Sequence, residues 1–160
     1  MPTRLLDWTA NPLAALFFAV CEQETEDGDV FVMEPTQVIP KPRKGLKGEP
    51  LQHVYTMRHP YVSDAIGMSF WHKPKESRPP LILPVRPDNQ AGRIWQQSSL
   101  FTLHMHESTP KTNSTLARIK IPAAKKEPIR EELRRLNINQ FSIYNDLDHL
   151  SKEIRRNWGM

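Results

Sequence analysis

Cys21 is the single cysteine among 160 residues, and only six glycines accompany fifteen prolines. One cysteine excludes an internal disulfide and any site built from several thiolates, whether zinc or iron–sulfur. Cys21 falls within an apolar helical pattern and reads as a buried structural thiol. Few glycines and many prolines imply stiff, extended connections and a loop-rich, mixed architecture. No apolar run approaches the roughly 18 residues that read as a membrane span. The most apolar stretch, Pro12 to Cys21, is short and followed by acids. A basic region ahead of an apolar run is also missing at the start, so no signal peptide is read and a cytoplasmic protein is expected. GxGxxG, P-loop and HExxH motifs, internal repeats and low-complexity tracts are all absent from the sequence.

A chain of this length is near the common size of one domain, and two separate cores would each bury little surface. One compact domain over residues 1–160 is therefore expected. Lys and Arg number 22 against 18 Asp and Glu, a net charge of +4. Part of that excess is local: Lys41, Arg43, Lys44 and Lys47 stand together with no acid before Glu49. The cluster suits phosphate contact in a nucleic-acid-binding module, or simply a solvated loop. No aromatic interleaves the cations as a stacking platform for single strands requires.

Asn11-Pro12 predicts a helix start, because Asn is a good N-cap and Pro at the first helical position gives up an N–H that would be unpaired anyway. Leu13, Leu16, Phe17 and Val20 follow at helical spacing, and the other face is also apolar, so this helix is expected inside the domain. Asp27-Gly28-Asp29 marks a turn before a strand at Val30–Met33. Glu34 to Pro60 reads as a surface connection with short strand pieces at most, and Pro60–Trp71 as a short helix on Tyr61, Ala65, Met68 and Trp71, weakened by Gly67. Leu81–Val85 reads as a strand whose bounding prolines suit an edge or a strand end better than a sheet centre. Leu100–His106 and Ala117–Ile121 read as strands that pair through a loop at Glu107–Thr115. Pro128 is expected to open a helix with Ile129, Leu133 and Leu136 inward, and Asp146 to cap another with Leu147, Leu150 and Ile154 inward. Together these give an α+β fold: a small, mostly antiparallel sheet, a buried N-terminal helix and two amphipathic C-terminal helices.

The run Pro2-Thr3-Arg4-Leu5-Leu6-Asp7-Trp8-Thr9, followed by Asn11-Pro12 and the helix through Ala19, is similar to the signature of the FRG domain family of bacteria and their phages. Three further blocks fit that family in order: the strand after Asp27-Gly28, the segment Arg93 to Thr102, and the tail Ile138 to Ile154. The resemblance implies a fold more than a reaction. It also implies an aromatic-Arg-Gly motif upstream of the Pro-Thr-Arg block. This sequence contains no Phe-Arg-Gly or Tyr-Arg-Gly and starts at that block, so a chain N-terminally truncated relative to the family is expected.

Arg4, Asp7, Trp8 and Asn11 fall together at what reads as a loop-to-helix junction, where a guanidinium and helix N–H groups receive a phosphate or carboxylate. The alternative is a local Arg4–Asp7 pair with Trp8 packed and Asn11 merely capping. Gln97, between Arg93 and Phe101 at a strand entrance, suits recognition by hydrogen bonds rather than proton transfer. An Arg block, a helix and a Gln-led strand look faintly like the ADP-ribosyltransferase fold. Those enzymes carry a Glu near the start of the corresponding strand, where this sequence has Gln97 beside Gln96 and Ser98. His104 and His106 share one strand face, but no third metal ligand is evident, and they read as ordinary histidines. The leading expectation is a nucleotide-handling domain: Arg4 on a phosphate, Trp8 and Phe101 around a base, Gln97 on a ribose hydroxyl, with NAD or another nucleotide as ligand and no cofactor required. A protein-interaction domain using Arg130, Arg134 and Arg135 stands beside it, and nucleic-acid binding through the 41–47 cluster behind both.

Overall fold

A computed structural model describes residues 4–38, 54–67, 82–88, 92–104 and 116–159. In order along the chain, the elements are β1 (Leu5–Thr9), α1 (Pro12–Val20), β2 (Gly28–Met33), α2 (Pro35–Val38), β3 (Tyr55–Thr56), α3 (Pro60–Ile66) and β4 (Ile82–Arg86). They continue with α4 (Arg93–Gln96), β5 (Ser99–His104), β6 (Leu116–Ile121), α5 (Ala123–Arg135), α6 (Gln140–Tyr144) and α7 (Leu147–Trp158). The class is α+β, as the sequence predicts. The elements gather into two compact units: one from Met1–Trp8, Met33–Asn89 and Leu100–Leu116, the other from Thr9–Val32, Gln90–Ser99 and Ala117–Met160.

The first unit is built on a four-stranded sheet of order β1-β5-β4-β3. β4 runs antiparallel to β5, with Leu83 opposite Leu103 and Val85 opposite Phe101, and parallel to β3. Tyr55, Val62, Leu83, Val85 and Leu103 form its core, with Val38, Met57 and Phe101 against them. Two expectations change here. The segment holding Arg4 to Trp8 is strand rather than loop, because Arg4 O accepts from His104 N at 2.8 Å and carries the chain into β1 extended. β4, despite Pro84, is an inner strand. The proline fits because β3 pairs only with Val85 and Arg86, so no β3 residue stands opposite it.

On the other face of β5, Trp8 Nε1 donates to Thr102 Oγ1 at 3.0 Å, and Thr102 Oγ1 lies 2.9 Å from His104 Nε2. The hydroxyl that accepts from the indole pairs with the imidazole nitrogen in either direction, as the His104 tautomer sets. Burial pulls the His104 pKa below its ordinary 6.5, since a charged ring loses hydration there. The neutral form is thus favoured on folding. Stability from this group is full above 6.5 and is lost as pH falls through the lower folded value. Between about pH 7 and 5, thermal unfolding should move to lower temperature, and His104→Gln should flatten that slope. An unchanged slope in the variant removes the assignment.

The second unit packs helices on a two-stranded sheet of β2 and β6. This overturns the expected β5–β6 hairpin: β5 joins the first unit's sheet and β6 takes β2 as its partner. Charge explains the choice. Arg118 meets Asp29 through two bonds of 2.7 Å, and Lys120 meets Asp27 at 2.8 Å, in reversed order along the two strands as antiparallel pairing requires. Asp27 Oδ1 also accepts from Ala123 N at 2.9 Å and so caps α5. The Lys120 contact and then this backbone bond hold the Asp27 carboxyl below its usual range, as Arg118 does for Asp29.

α1 begins as predicted: Pro12 is its first residue and Asn11 Oδ1 accepts from Leu13 N at 3.0 Å. Its buried stripe is Ala14, Phe17 and Val20, packed with Ile121, Leu133 and Ile143, whereas Leu13 and Phe18 are exposed. The helix is thus one-sided rather than enclosed all round. α5 starts at Ala123, not Pro128, because Asp27 supplies the cap and Pro128 sits inside the helix. Leu133 is buried and Ile129 partly so, but Leu136 lies beyond the helix and is exposed. α6, unforeseen, is held by a capping box in which Asn139 and Ser142 serve each other's backbone N–H.

α7 is capped by Asp146 as predicted, with Asp146 Oδ1 accepting from His149 N at 2.9 Å. Its facing differs in part: Leu150 is half-buried as expected, but Leu147, Ile154 and Trp158 are 81%, 44% and 77% exposed. Stacking of His149 on Tyr144 turns a different face toward α6. Predicted positions Met68, Trp71, His106 and the 107–115 loop lie outside the described residues, as does the basic cluster Lys41, Arg43, Lys44 and Lys47.

Candidate functional site

The Arg93–Thr102 block folds as a short helix, a left-handed turn and a strand. α4 ends at Gln96, Gln97 caps it, and Ser98 takes φ 47° to swing the chain into β5. A positive φ at serine is uncommon and is held here by two bonds, Ser98 N to Trp95 O and Ala10 N to Ser98 O, each 3.0 Å. Thr9 ties the same turn to α1. Its hydroxyl donates to Gln97 O at 2.6 Å and accepts from Asn11 N at 2.9 Å.

Within the second unit, two of the sequence candidates meet on one turn of α6. Gln97 Nε2 donates to Ile143 O at 3.2 Å, and the Arg93 guanidinium lies over the Tyr144 ring at 5.0 Å from its centroid. His149 stacks on the same ring, 4.4 Å away and 20° from parallel. Tyr144 thus meets a guanidinium and an imidazole together. Phe17 and Phe18 meet Tyr144 edge-on, at 6.4 and 6.2 Å. Asp146 fixes the imidazole, with its oxygens 2.7 and 2.8 Å from His149 Nδ1. The N-cap bond from His149 and that ring contact hold the Asp146 carboxyl low. Burial raises the Tyr144 phenol, so it stays protonated. Cys21 is half-buried, and burial with the Glu22 charge raises its thiol, which favours the inert, structural reading.

Asn11 belongs to this unit as the α1 cap. Arg4, Asp7, Trp8 and Phe101 belong to the sheet unit. There Trp8 bonds to Thr102 while Phe101 packs with the core cluster on the opposite face of β5, so those two aromatics do not line one pocket. Arg4 and Asp7 are exposed. Tyr144 escaped the sequence reading because it carries no motif; its one signal is its place between the Asn139 cap and Asp146.

The FRG domain family model matches residues 1–28. The FRG match covers β1, α1 and the approach to β2, so the candidate residues Arg4, Asp7, Trp8 and Asn11 lie within it. Arg93, Gln97 and the α6–α7 region lie beyond it. No curated protein and no solved structure matches the chain significantly. Among the described residues, no helix is long and apolar enough to cross a membrane.

Proposed function

We propose that this FRG chain handles a nucleotide, with Arg93 and Gln97 as its principal recognition residues. The supporting observation is their convergence on Ile143 and Tyr144 of α6. Arg93 is exposed, and the cation–π contact orders its guanidinium, which lowers the entropy cost of gripping a phosphate. Gln97 spends its amide N–H on Ile143 O, leaving Oε1 to accept from a ribose hydroxyl. Asn11 and Trp8 act as fold anchors, each within its own unit, and the reading rests on Arg93 and Gln97 of the second unit. NAD is the first ligand to test, since the faint ADP-ribosyltransferase likeness leads to it; group transfer would need an acid that Gln97 does not supply.

Calorimetry with NAD, ATP and AMP tests the reading. Arg93→Ala and Gln97→Leu should each weaken binding about tenfold or more, equivalent to about 1.4 kcal/mol, with unfolding temperature little changed. Absence of binding by any of the three, or equal binding by both variants, removes it.

A protein partner is the second reading, and α7 favours it. Leu147, Ile154 and Trp158 recur at i, i+7 and i+11, one apolar stripe left outside. The arginines first assigned to that role are engaged: Arg130 with Glu24 and Glu127, Arg134 with Glu131, Arg135 with Glu132. A Leu147→Ser, Ile154→Ser variant that keeps every interaction of the parent protein would dismiss this reading.

A further inference from the structure

The outer stripe of α7 is formed by Leu147, Ser151, Ile154 and Trp158, spaced i, i+4, i+7 and i+11 and so aligned along one side of the helix. All four are exposed. The polar member needs no water: Ser151 Oγ donates to Asp148 O at 2.9 Å, so covering the stripe strands no hydroxyl donor.

One flank of that stripe holds two opposite charges, Asp148 and Arg155, each exposed and in no ion pair among the described residues. They stand about 10 Å apart along the axis, too far to meet within one helix. Lys152, a nearer cation, lines a cavity against α5 instead. An acid near the start and a base near the end is the order that an antiparallel copy of the same helix complements. A two-fold axis crossing between Ser151 and Lys152 keeps like flanks together and sets Asp148 level with Arg155 of the second copy, and Arg155 level with its Asp148. The same register drops Leu147 between Ile154 and Trp158 of the second copy. It also brings the two Ser151 side chains together at the axis, where their small size lets the backbones approach.

We propose that α7 is a self-association face whose occupant is a second copy of this chain, packed antiparallel about that axis. The inference rests on the reading of α7 as a protein-docking surface and names its partner. It shares no residue with the Arg93–Gln97 arrangement. α7 is about 18 Å long, so the contact falls below the roughly 800 Å² per partner of a standard interface, and the dimer is weak and concentration-dependent. The apolar stripe supplies the attraction, and the Asp148–Arg155 contacts at its rim fix register and orientation.

Sedimentation equilibrium of the full chain should show reversible dimerisation as concentration rises toward millimolar, and Trp158→Ala should abolish it. Asp148→Arg and Arg155→Asp each set like charges at both rim contacts, and each should weaken the dimer about tenfold at low salt. Mixed in equal amounts, the two variants regain opposite charges at both contacts, so the mixture should associate as the parent does. The three positions are exposed, and the circular dichroism of each variant should match that of the parent. A monomer at every concentration, or a mixture no better associated than either variant alone, overturns the proposal. Docking of a different protein on α7 is decided separately, by the Leu147→Ser, Ile154→Ser variant.

Discussion

Gly28→Ala should cost about 3 kcal/mol or more of unfolding free energy, a large share of what a domain of this size possesses. A Cβ at Gly28 would be driven into the Ala19 carbonyl oxygen, with the Ala19 carbonyl carbon 3.2 Å away and Lys126 Cε 3.3 Å away. The first neighbour is helix backbone. It can yield only if the last turn of α1 moves off β2, and that turn carries Val20, which is fully buried. Small-to-large changes in tight sites usually cost about 1–3 kcal/mol, and a clash with backbone belongs at or above the upper end. Urea unfolding should show a lower midpoint with an unchanged slope. A loss below about 1 kcal/mol would mean that the strand and helix do not approach this closely.

Lys126→Met is the second large effect, expected at about 2–3 kcal/mol. Lys126 is buried although charged, and Nζ donates to Glu22 O at 2.9 Å and Gln23 O at 3.0 Å. Those carbonyls lie just past the α1 C-cap, where helix carbonyls lack internal partners and a cation is favoured. Methionine keeps most of the stem and deletes the donor. Each bond to a charged group contributes about 1.5–3 kcal/mol, partly offset by the easier burial of a thioether. Lys126→Ala should lose more, since the stem packing goes as well. Because Lys126 Cε stands against the Gly28 position, the two substitutions should not add. A double-mutant cycle with a coupling near zero would separate them.

Local chemistry was the legible part of this sequence. Asn11-Pro12 and Asp146 each place a helix start through a bond formed within a few residues, and each stands where expected, whereas the turn read at Asp27-Gly28-Asp29 falls earlier and β2 already begins at Gly28. The misreadings concern partners. β5 and β6 are neighbours in sequence and were paired for that reason, whereas the alternation of Arg118 and Lys120 against Asp29 and Asp27 identifies β2 as the mate. Pro128 looked like a helix start because the true cap, Asp27, comes from a distant segment. α7 shows amphipathic spacing clearly, yet spacing says which residues share a face and not which way the face turns. Arg93 and Gln97 were singled out by type, but Tyr144, on which Arg93 rests and beside which Gln97 bonds, follows from tertiary packing alone.

The covering of α1 sets an order of events during synthesis. Its buried stripe is closed by Ile121, Leu133 and Ile143, and its end is latched by Lys126, all from the last part of the unit. At about 5–20 residues per second, the helix leaves the ribosome on the order of ten seconds before Ile143 is made. The stretch matching the FRG domain thus emerges well before the segments that shelter it, and stays open in that interval to a chaperone that grips apolar segments.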